Sequence, residues 1–283
     1  MVDHSSRLNK ILAVFLGYAL AGSAAIGTAS SARAADAEAV TIDTNFHVFT
    51  PPVRLDKPAK NAKASVIVMT GGNGLLSLDM NGNIIDSTGN FLIRSANRFL
   101  EHGLNVMMAD AAPAHANNTP PGIGLGFRLS ATHANELQNF INAAITRWGK
   151  PVWVVGTSNG SVSAVTAAGF SPTLAGLSGV VLTSTVTDFS GTMDPPGNQA
   201  KFELYVSRIT VPTFVVWHQN DHCTFSPPSG SQTVFNTIPA NNRASAVFQG
   251  GHSVATDPCG AFSEHGYAGI ERDVVKQIAE FIK

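Results

Sequence analysis

Apolar segments of strand length recur along the chain. They are rich in β-branched residues and show little alternation, which is typical of strands buried on both faces. These segments lie at residues 64–70, 104–110, 152–156, 179–185, 211–217 and 244–250.

Segments with apolar residues at helical spacing separate these apolar runs. They lie at residues 91–102, 131–148, 158–170, 200–209 and 271–282. Repeated alternation of strand and helix predicts an α/β protein with a mostly parallel sheet covered by helices on both faces. The stretch at 40–54 alternates more and contains two prolines, so it predicts an antiparallel edge strand.

Two long segments rich in Gly and Pro, residues 111–126 and 188–199, are interpreted as loops over one face of the sheet. The second loop is too short for a large lid, so we expect little or no lid and an open cleft. No internal repeat or linker divides the rest of the chain. Residues 35–283 therefore form one predicted domain.

The amino-terminal segment has the layout of a secretory signal peptide. Arg7 and Lys10 precede an apolar run at 11–26, and small residues follow as far as Ala34. The alternative is a membrane anchor, but the run is short and contains Gly, Ala and Ser. We therefore expect residues 1–34 to be removed, no membrane anchor to remain, and the mature protein to be periplasmic or secreted.

Composition and cysteine content limit the possible partners. The chain has 283 residues, 44% of them hydrophobic, and a formal net charge of −1, which does not favour nucleic-acid binding. In an oxidising compartment we expect Cys223 and Cys259 to form one disulfide. The two cysteines are far apart in sequence and no CxxC is present, so we expect no metal site.

One short motif carries candidate chemistry. The sequence GTSNG at residues 156–160 follows a buried-type strand and opens a helix of small residues. Gly156 and Gly160 lack the β-carbons that would collide in a sharp strand-to-helix turn, with Ser158 exposed at its centre. The helix amino end would offer the Asn159 N–H to a developing oxyanion. Ser158 is therefore the candidate nucleophile.

A serine nucleophile needs a base that is oriented by an acid. The sequence supplies Asp221 in a loop after one strand, and then His252 and His265, in the order Ser, Asp, His. Asp188, after the preceding strand, is a rival acid that we consider weaker. Sequence order alone leaves both histidines open as the base.

A glycine-rich loop follows the strand at 64–70, with the sequence TGGNG at 70–74. We predict that the Gly72 N–H is a second oxyanion donor, with Asn73 next in line; an ordinary glycine turn is the alternative. Arg128 and Ser130 are predicted to start a helix, with Ser130 as its N-cap, rather than to contact substrate.

The segments TGGNG, GTSNG, WHQNDHC and HGYAGIERDVV resemble those of the α/β-hydrolase superfamily, and in particular a set of small exported bacterial α/β hydrolases. The resemblance extends over nearly all of the mature chain. It implies a central sheet of about eight strands, Ser158 as nucleophile, Asp221 as acid, and hydrolysis of an ester or related acyl bond without a cofactor. The sequence departs from many relatives at Thr70 and at His218, where His and Gly are common.

The resemblance also favours His265 over His252, because the smaller set of relatives carries its His in a His-Gly-aromatic pattern. We further expect Gly266 to leave room for close approach to the Ser158 turn. The expected substrate is a small-molecule ester or acyl compound, and no sequence feature predicts an oligomeric state. The alternatives are an acyltransferase or peptidase that uses the same triad, and a binding protein that keeps the scaffold without turnover.

Overall fold

The computed structural model describes residues 38–41, 52–56, 61–79, 81–190 and 197–283. The predicted signal peptide at 1–34 lies outside these residues, as do residues 42–51 of the predicted edge strand and residues 191–196 of the second loop. All described residues belong to one compact unit.

The centre of the described chain is a sheet in the order β1-β2-β4-β3-β5-β6-β7-β8. Strands β3 to β8 run parallel, while β2 is antiparallel to β4 and β1 is antiparallel to β2. The strands are β1 Glu38–Thr41, β2 Pro52–Asp56, β3 Ala64–Met69, β4 Leu104–Ala109, β5 Val152–Thr157, β6 Leu177–Thr183, β7 Thr213–His218 and β8 Arg243–Phe248.

Helices connect the strands and cover the sheet. They are α1 Phe91–Arg94, α2 Ala96–Glu101, α3 Pro113–Ala116, α4 Leu125–Arg128, α5 Ala131–Trp148, α6 Asn159–Gly169, α7 Asn198–Ser207, α8 Pro228–Thr237 and α9 Glu271–Ile282. Two 3₁₀ helices lie at Ala240–Asn242 and Glu264–Gly266.

Alternate residues of each central strand pack into two separate cores. In β3, Ile67 and Met69 pack with α4 to α8 on one face, whereas Val66 and Val68 pack with α1, α2 and α9 on the other. Because both faces are buried, apolar residues occupy consecutive strand positions. The predicted mostly parallel sheet with helices on both faces is confirmed.

Several local predictions need adjustment. The helix predicted at 91–102 is two helices that meet at Ser95, and the edge segment contributes two antiparallel strands. Ser130 caps α5 as predicted, because its Oγ accepts a hydrogen bond from the His133 N–H at 3.1 Å. Arg128 was wrongly expected at a helix start, since it is the last residue of α4.

Among the described residues, no helix has the length and apolar character needed to cross a membrane. Within the same ranges, no cluster of three or more His, Cys, Asp or Glu side chains is arranged to hold a metal ion.

Candidate active site

Ser158 lies in a strained turn between β5 and α6. Its φ of 52° and ψ of −128° are unusual for a residue with a β-carbon, and such strain is found preferentially at functional sites. The Ser158 N–H donates to the Thr183 carbonyl at 3.0 Å. The Ser158 carbonyl accepts from the N–H and the Oγ of Ser161, at 2.9 and 2.6 Å. The backbone is therefore held on both sides of the strained residue.

Glycines on both sides of Ser158 allow this turn. A β-carbon on Gly156 would overlap the Gly160 carbonyl, and one on Gly160 would overlap the Met69 carbonyl. The backbone of α6 thus packs directly on β5 and on the end of β3. No larger residue fits at either position without moving backbone.

Asp221 and His265 form a buried pair. His265 Nδ1 lies 2.9 Å from Asp221 Oδ2, and Asp221 Oδ1 accepts the Cys223 N–H at 2.9 Å. Because a carboxylate can only accept, this contact selects the neutral tautomer in which Nδ1 carries the proton and Nε2 keeps its lone pair. His265 Nε2 is buried and makes no hydrogen bond with any described residue. A basic nitrogen is thus left available next to the cleft.

Three side chains fix the backbone around His265. Ser184 Oγ donates to the His265 carbonyl at 2.7 Å, and Ser263 Oγ accepts the His265 N–H at 3.2 Å. The Tyr267 hydroxyl donates to the Val216 carbonyl at 3.0 Å and accepts the Ser184 N–H at 3.1 Å. Burial raises the pKa of Tyr267, so its hydroxyl stays protonated. The sequence analysis missed Ser184, whose only signal is its place at the end of a strand beside Ser158's strand.

The rival acid and the rival base lie apart from this pair. The His252 side chain is exposed, and its backbone N–H donates to the Ala268 carbonyl at 2.8 Å. Hydrogen bonds from the Ser190 side chain and from the Ser190 N–H, the latter to Asp188 Oδ1 at 2.8 Å, lower the pKa of Asp188. Asp188 lines a different cavity, of about 330 Å³, between α7 and α8. Neither side chain forms a hydrogen bond or ion pair with Asp221 or His265 in the described structure.

Gly266 lines the same cleft as Ser158 and His265. A β-carbon on Gly266 would overlap the Ala261 carbonyl, and no atom of the Ser158 turn is among its nearest neighbours. Glycine is needed here because the segment that carries His265 folds back on its own chain.

A disulfide joins Cys223 and Cys259, as the cysteine count predicts. Cys223 is two residues after Asp221, and Cys259 lines the cleft that contains Ser158 and His265. The bond therefore ties the loop of the acid to the wall of the cleft.

The glycine-rich loop after β3 packs against the nucleophile turn. An ideal β-carbon on Gly71 would lie 2.9 Å from Ser158 Cβ. Gly72 has a φ of +58°, and its carbonyl accepts a hydrogen bond from Asn159 Nδ2 at 2.9 Å. The backbone N–H groups of Gly72, Asn73 and Asn159 donate no hydrogen bond to any described residue. All three predicted donors are thus uncommitted in the described structure.

Ser158 and His265 line one cleft of about 250 Å³, together with Gly71, Gly72 and Asn90. Asn90 Oδ1 caps α1 by accepting the Leu92 N–H at 3.1 Å, so its NH₂ group faces away from that helix. The same ideal β-carbon on Gly71 would lie 3.4 Å from Asn90 Nδ2. An amide donor that the sequence analysis did not identify therefore lies beside the nucleophile.

No family model matches the chain, and no curated protein matches it either. Several solved structures match the chain. An esterase from Pyrococcus furiosus aligns with a TM-score of 0.60 at 14% identity, covering 87% of this chain and 89% of that one. The esterase domain of a Rhodothermus marinus protein aligns with a TM-score of 0.58 at 12% identity, covering 88% and 100%. An α/β serine hydrolase without lid from Xanthomonas campestris aligns with a TM-score of 0.53 at 13% identity, covering 86% and 95%.

The fold of this chain is therefore that of the α/β hydrolases, as the sequence resemblance implies. At these identities the likeness establishes the fold alone, and the activity has to be argued from the site.

Proposed function

We propose that the protein is a serine hydrolase that cleaves an ester bond through an acyl-enzyme. The main support is one constellation of groups: a strained Ser158 lines the same cleft as His265, whose Nδ1 is bonded to Asp221 and whose Nε2 has no partner among the described residues. A nucleophile, a base and an orienting acid are the parts that acyl transfer requires.

The proposed reaction has two halves. In the first, His265 Nε2 takes the Ser158 proton as Oγ attacks the acyl carbonyl, and then delivers that proton to the leaving alcohol. In the second, His265 Nε2 takes a proton from water as the water attacks the acyl-enzyme, and returns that proton to Ser158 Oγ as the acid leaves. Asp221 holds the Nδ1 tautomer and stabilises the imidazolium that forms in each half.

The tetrahedral intermediates need donors for their negative oxygen. The Asn159 and Gly72 N–H groups are the proposed pair, with the Asn73 N–H as the alternative to Gly72. The amino end of α6 adds the partial positive charge of its helix dipole. No cofactor takes part in this proposal, because the side chains and backbone supply each group that the reaction uses.

An ester is favoured over a peptide because two of the three reported structural relatives are esterases. The substrate is then a small-molecule ester that enters the Ser158 cleft. Acyl transfer or peptide cleavage would use the same residues, so substrate panels have to separate them. We further propose that residues 1–34 direct export and that the mature protein acts in the periplasm or outside the cell.

Covalent labelling tests the nucleophile and its base together. A fluorophosphonate should add to Ser158 in the wild-type protein, as read by intact mass and peptide mapping, and should fail to add to Ser158→Ala. The His265→Ala variant should lose labelling, whereas the His252→Ala control should label at the wild-type rate. Labelling that disappears in His252→Ala and persists in His265→Ala would overturn the assignment of the base.

Substrate panels test the reaction class. We expect hydrolysis of p-nitrophenyl esters and little turnover of aminoacyl p-nitroanilides. A preference for the anilides would replace the esterase proposal by a peptidase. A folded protein that neither labels nor turns over any ester would favour the binding-protein alternative.

A further inference from the structure

A buried polar cluster lies behind the glycine-rich loop, on the face of the sheet covered by α4, α5 and α6. Its centre is Arg128, which is 0% exposed. Arg128 Nη1 donates to Ser163 Oγ at 2.9 Å, and Ser163 Oγ also lies 2.9 Å from His133 Nε2. His133 Nδ1 is in turn 3.0 Å from Glu136 Oε2. The proposed reaction uses none of these side chains.

The other guanidinium nitrogen reaches the glycine-rich loop. Arg128 Nη2 lies 3.2 Å from the Thr70 carbonyl and 3.4 Å from the Gly72 carbonyl. Because Ser163 is on α6, the helix that begins at the nucleophile turn, one side chain joins this loop to that helix. A β-carbon on Gly74 would lie 2.8 Å from Nη2, so the loop also packs directly on the guanidinium.

Holding a carbonyl fixes the N–H on the other side of the same peptide plane. The peptide unit is planar and trans, so its C=O and N–H point in opposite directions. Arg128 holds the carbonyls of Thr70 and Gly72, which orients the N–H groups of Gly71 and Asn73. The intervening peptide, which carries the Gly72 N–H, is held between two oriented neighbours.

Burying the charged guanidinium of Arg128 costs free energy, which its interactions in the folded protein must offset. Removing a charge from water costs several kcal/mol, even after relaxation of the protein. Burial lowers the pKa of Arg128 to about 9, and no carboxylate of the described residues lies within ion-pair distance of it. Three neutral acceptors therefore bind the charge, two of them loop carbonyls. In a medium of low polarity this charge would also favour negative charge developing at the loop.

We propose that Arg128 is a positioning residue for oxyanion stabilisation: it clamps the loop at 70–74 to helix α6 and so sets the directions of the loop N–H groups before substrate binds. The proposal rests on the proposed function of Ser158, but its structural part concerns the loop itself. It differs from a packing role because it acts on the tetrahedral state and leaves ground-state binding unchanged.

The kinetic test compares Arg128→Gln and Arg128→Lys with Ile278→Ala. Ile278 is 0% exposed and packs on the opposite face of the sheet, so Ile278→Ala is a control for lost stability alone. We expect Arg128→Gln to lower kcat for a p-nitrophenyl ester by about tenfold or more, with KM within about twofold. Affinity for a boronic acid that forms a tetrahedral adduct should fall by the same factor as kcat. Arg128→Lys should recover part of the loss, because it keeps the charge.

A second measurement does not depend on activity. Backbone amide hydrogen exchange at Gly74 and Leu75, whose N–H groups donate to the Gly71 carbonyl and to Asn73 Oδ1, should accelerate in Arg128→Gln and stay at the wild-type rate in Ile278→Ala. If Arg128→Gln fails to fold, Ser163→Ala removes the Nη1 anchor with little change in volume. It should then show the same faster exchange and a smaller loss of kcat.

The outcomes separate the two proposals. Unchanged loop exchange in folded Arg128→Gln, or in Ser163→Ala where Arg128→Gln does not fold, overturns the clamp whether or not the wild type hydrolyses esters. So does a loss of kcat no larger than that of Ile278→Ala. If Arg128→Gln shows faster loop exchange but the wild-type protein shows neither ester hydrolysis nor labelling of Ser158, the clamp remains as a structural element and the catalytic proposal is rejected.

Discussion

At the scale of single residues, the glycines of the site differ in what a side chain would meet. A β-carbon on Gly72 finds no atom within 4 Å, but the residue has a φ of +58°, whereas a β-carbon on Gly160 would overlap backbone. We expect Gly72→Ala to cost about 1–2 kcal/mol of unfolding free energy from strain. Gly160→Ala should cost on the order of 3 kcal/mol, because β3 and α6 must separate.

Gly103 provides a matched control for Gly72. It has a φ of +73°, and its β-carbon would also find open space, but it lies outside the cleft. In urea unfolding, Gly72→Ala and Gly103→Ala should lose similar stability. Only Gly72→Ala should lower kcat, since it alone changes an oxyanion donor. Equal activity of the two variants would contradict the role proposed for the Gly72 N–H.

His133 makes stability depend on pH. Burial lowers the pKa of His133 below 6.5, despite the opposing effect of Glu136, and the nearby charge of Arg128 acts in the same direction as burial. Below pH 6.5 His133 is therefore protonated in the unfolded chain but not in the folded one. As the pH decreases from 6.5, the free energy of unfolding decreases until the pH reaches the folded-state pKa. From pH 7 to pH 5.5, wild type should therefore lose more unfolding free energy than His133→Gln.

The exposed His252 serves as the comparison for this measurement. Urea unfolding of His252→Gln at the two pH values should show the wild-type difference. A His133→Gln variant with the same pH dependence as wild type would mean that the pKa of His133 is the same in the folded and the unfolded protein.

At the scale of secondary-structure elements, the disulfide joins two segments that each carry part of the Asp221–His265 pair. It closes a sequence separation of 36 residues, which in the chain-entropy model contributes about 3–4 kcal/mol. The Cys223→Ala, Cys259→Ala double variant should lose about that much stability, and its kcat should fall because Asp221 and His265 are held less firmly. Dithiothreitol should reproduce the effect in wild type and leave the double variant unchanged. A double variant with wild-type kcat would limit the bond to a structural role.

The elements that the sequence predicts well are those with strong periodicity. Helix α9 begins and ends at the predicted residues because five of its side chains form one buried stripe. Helix α8, with the sequence PSGSQTVFNT, was missed because it buries only Ser231 and Val234. The break at Ser95 is equally hidden, since apolar residues continue on both sides of it.

The residues of the site also differ in how well the sequence predicts them. Ser158, Asp221 and the glycine-rich loop could be proposed from short local motifs, because each follows a strand directly. The order of residues left His252 and His265 open, and only the family resemblance favoured His265. The contact that places His265 beside Asp221 spans 44 residues, and Arg128 reaches carbonyls 56 and 58 residues away. No local pattern encodes such distant contacts, and Arg128 could be read only as part of a helix boundary.

At the scale of the whole molecule, the proposed export would determine whether the disulfide forms. The leader predicted at 1–34 would carry the chain to a compartment where Cys223 and Cys259 oxidise, whereas the cytosol keeps thiols reduced. We expect the exported protein to begin at Ala35 and to contain no free thiol by intact mass. Residues 35–283 produced in a reducing cytosol should carry two thiols, unfold at lower urea and gain stability on oxidation. An exported chain that keeps its leader and remains in the membrane fraction would support the anchor alternative. Equal stability of the reduced and oxidised forms would show that the disulfide, and therefore an oxidising compartment, is not needed for a stable fold.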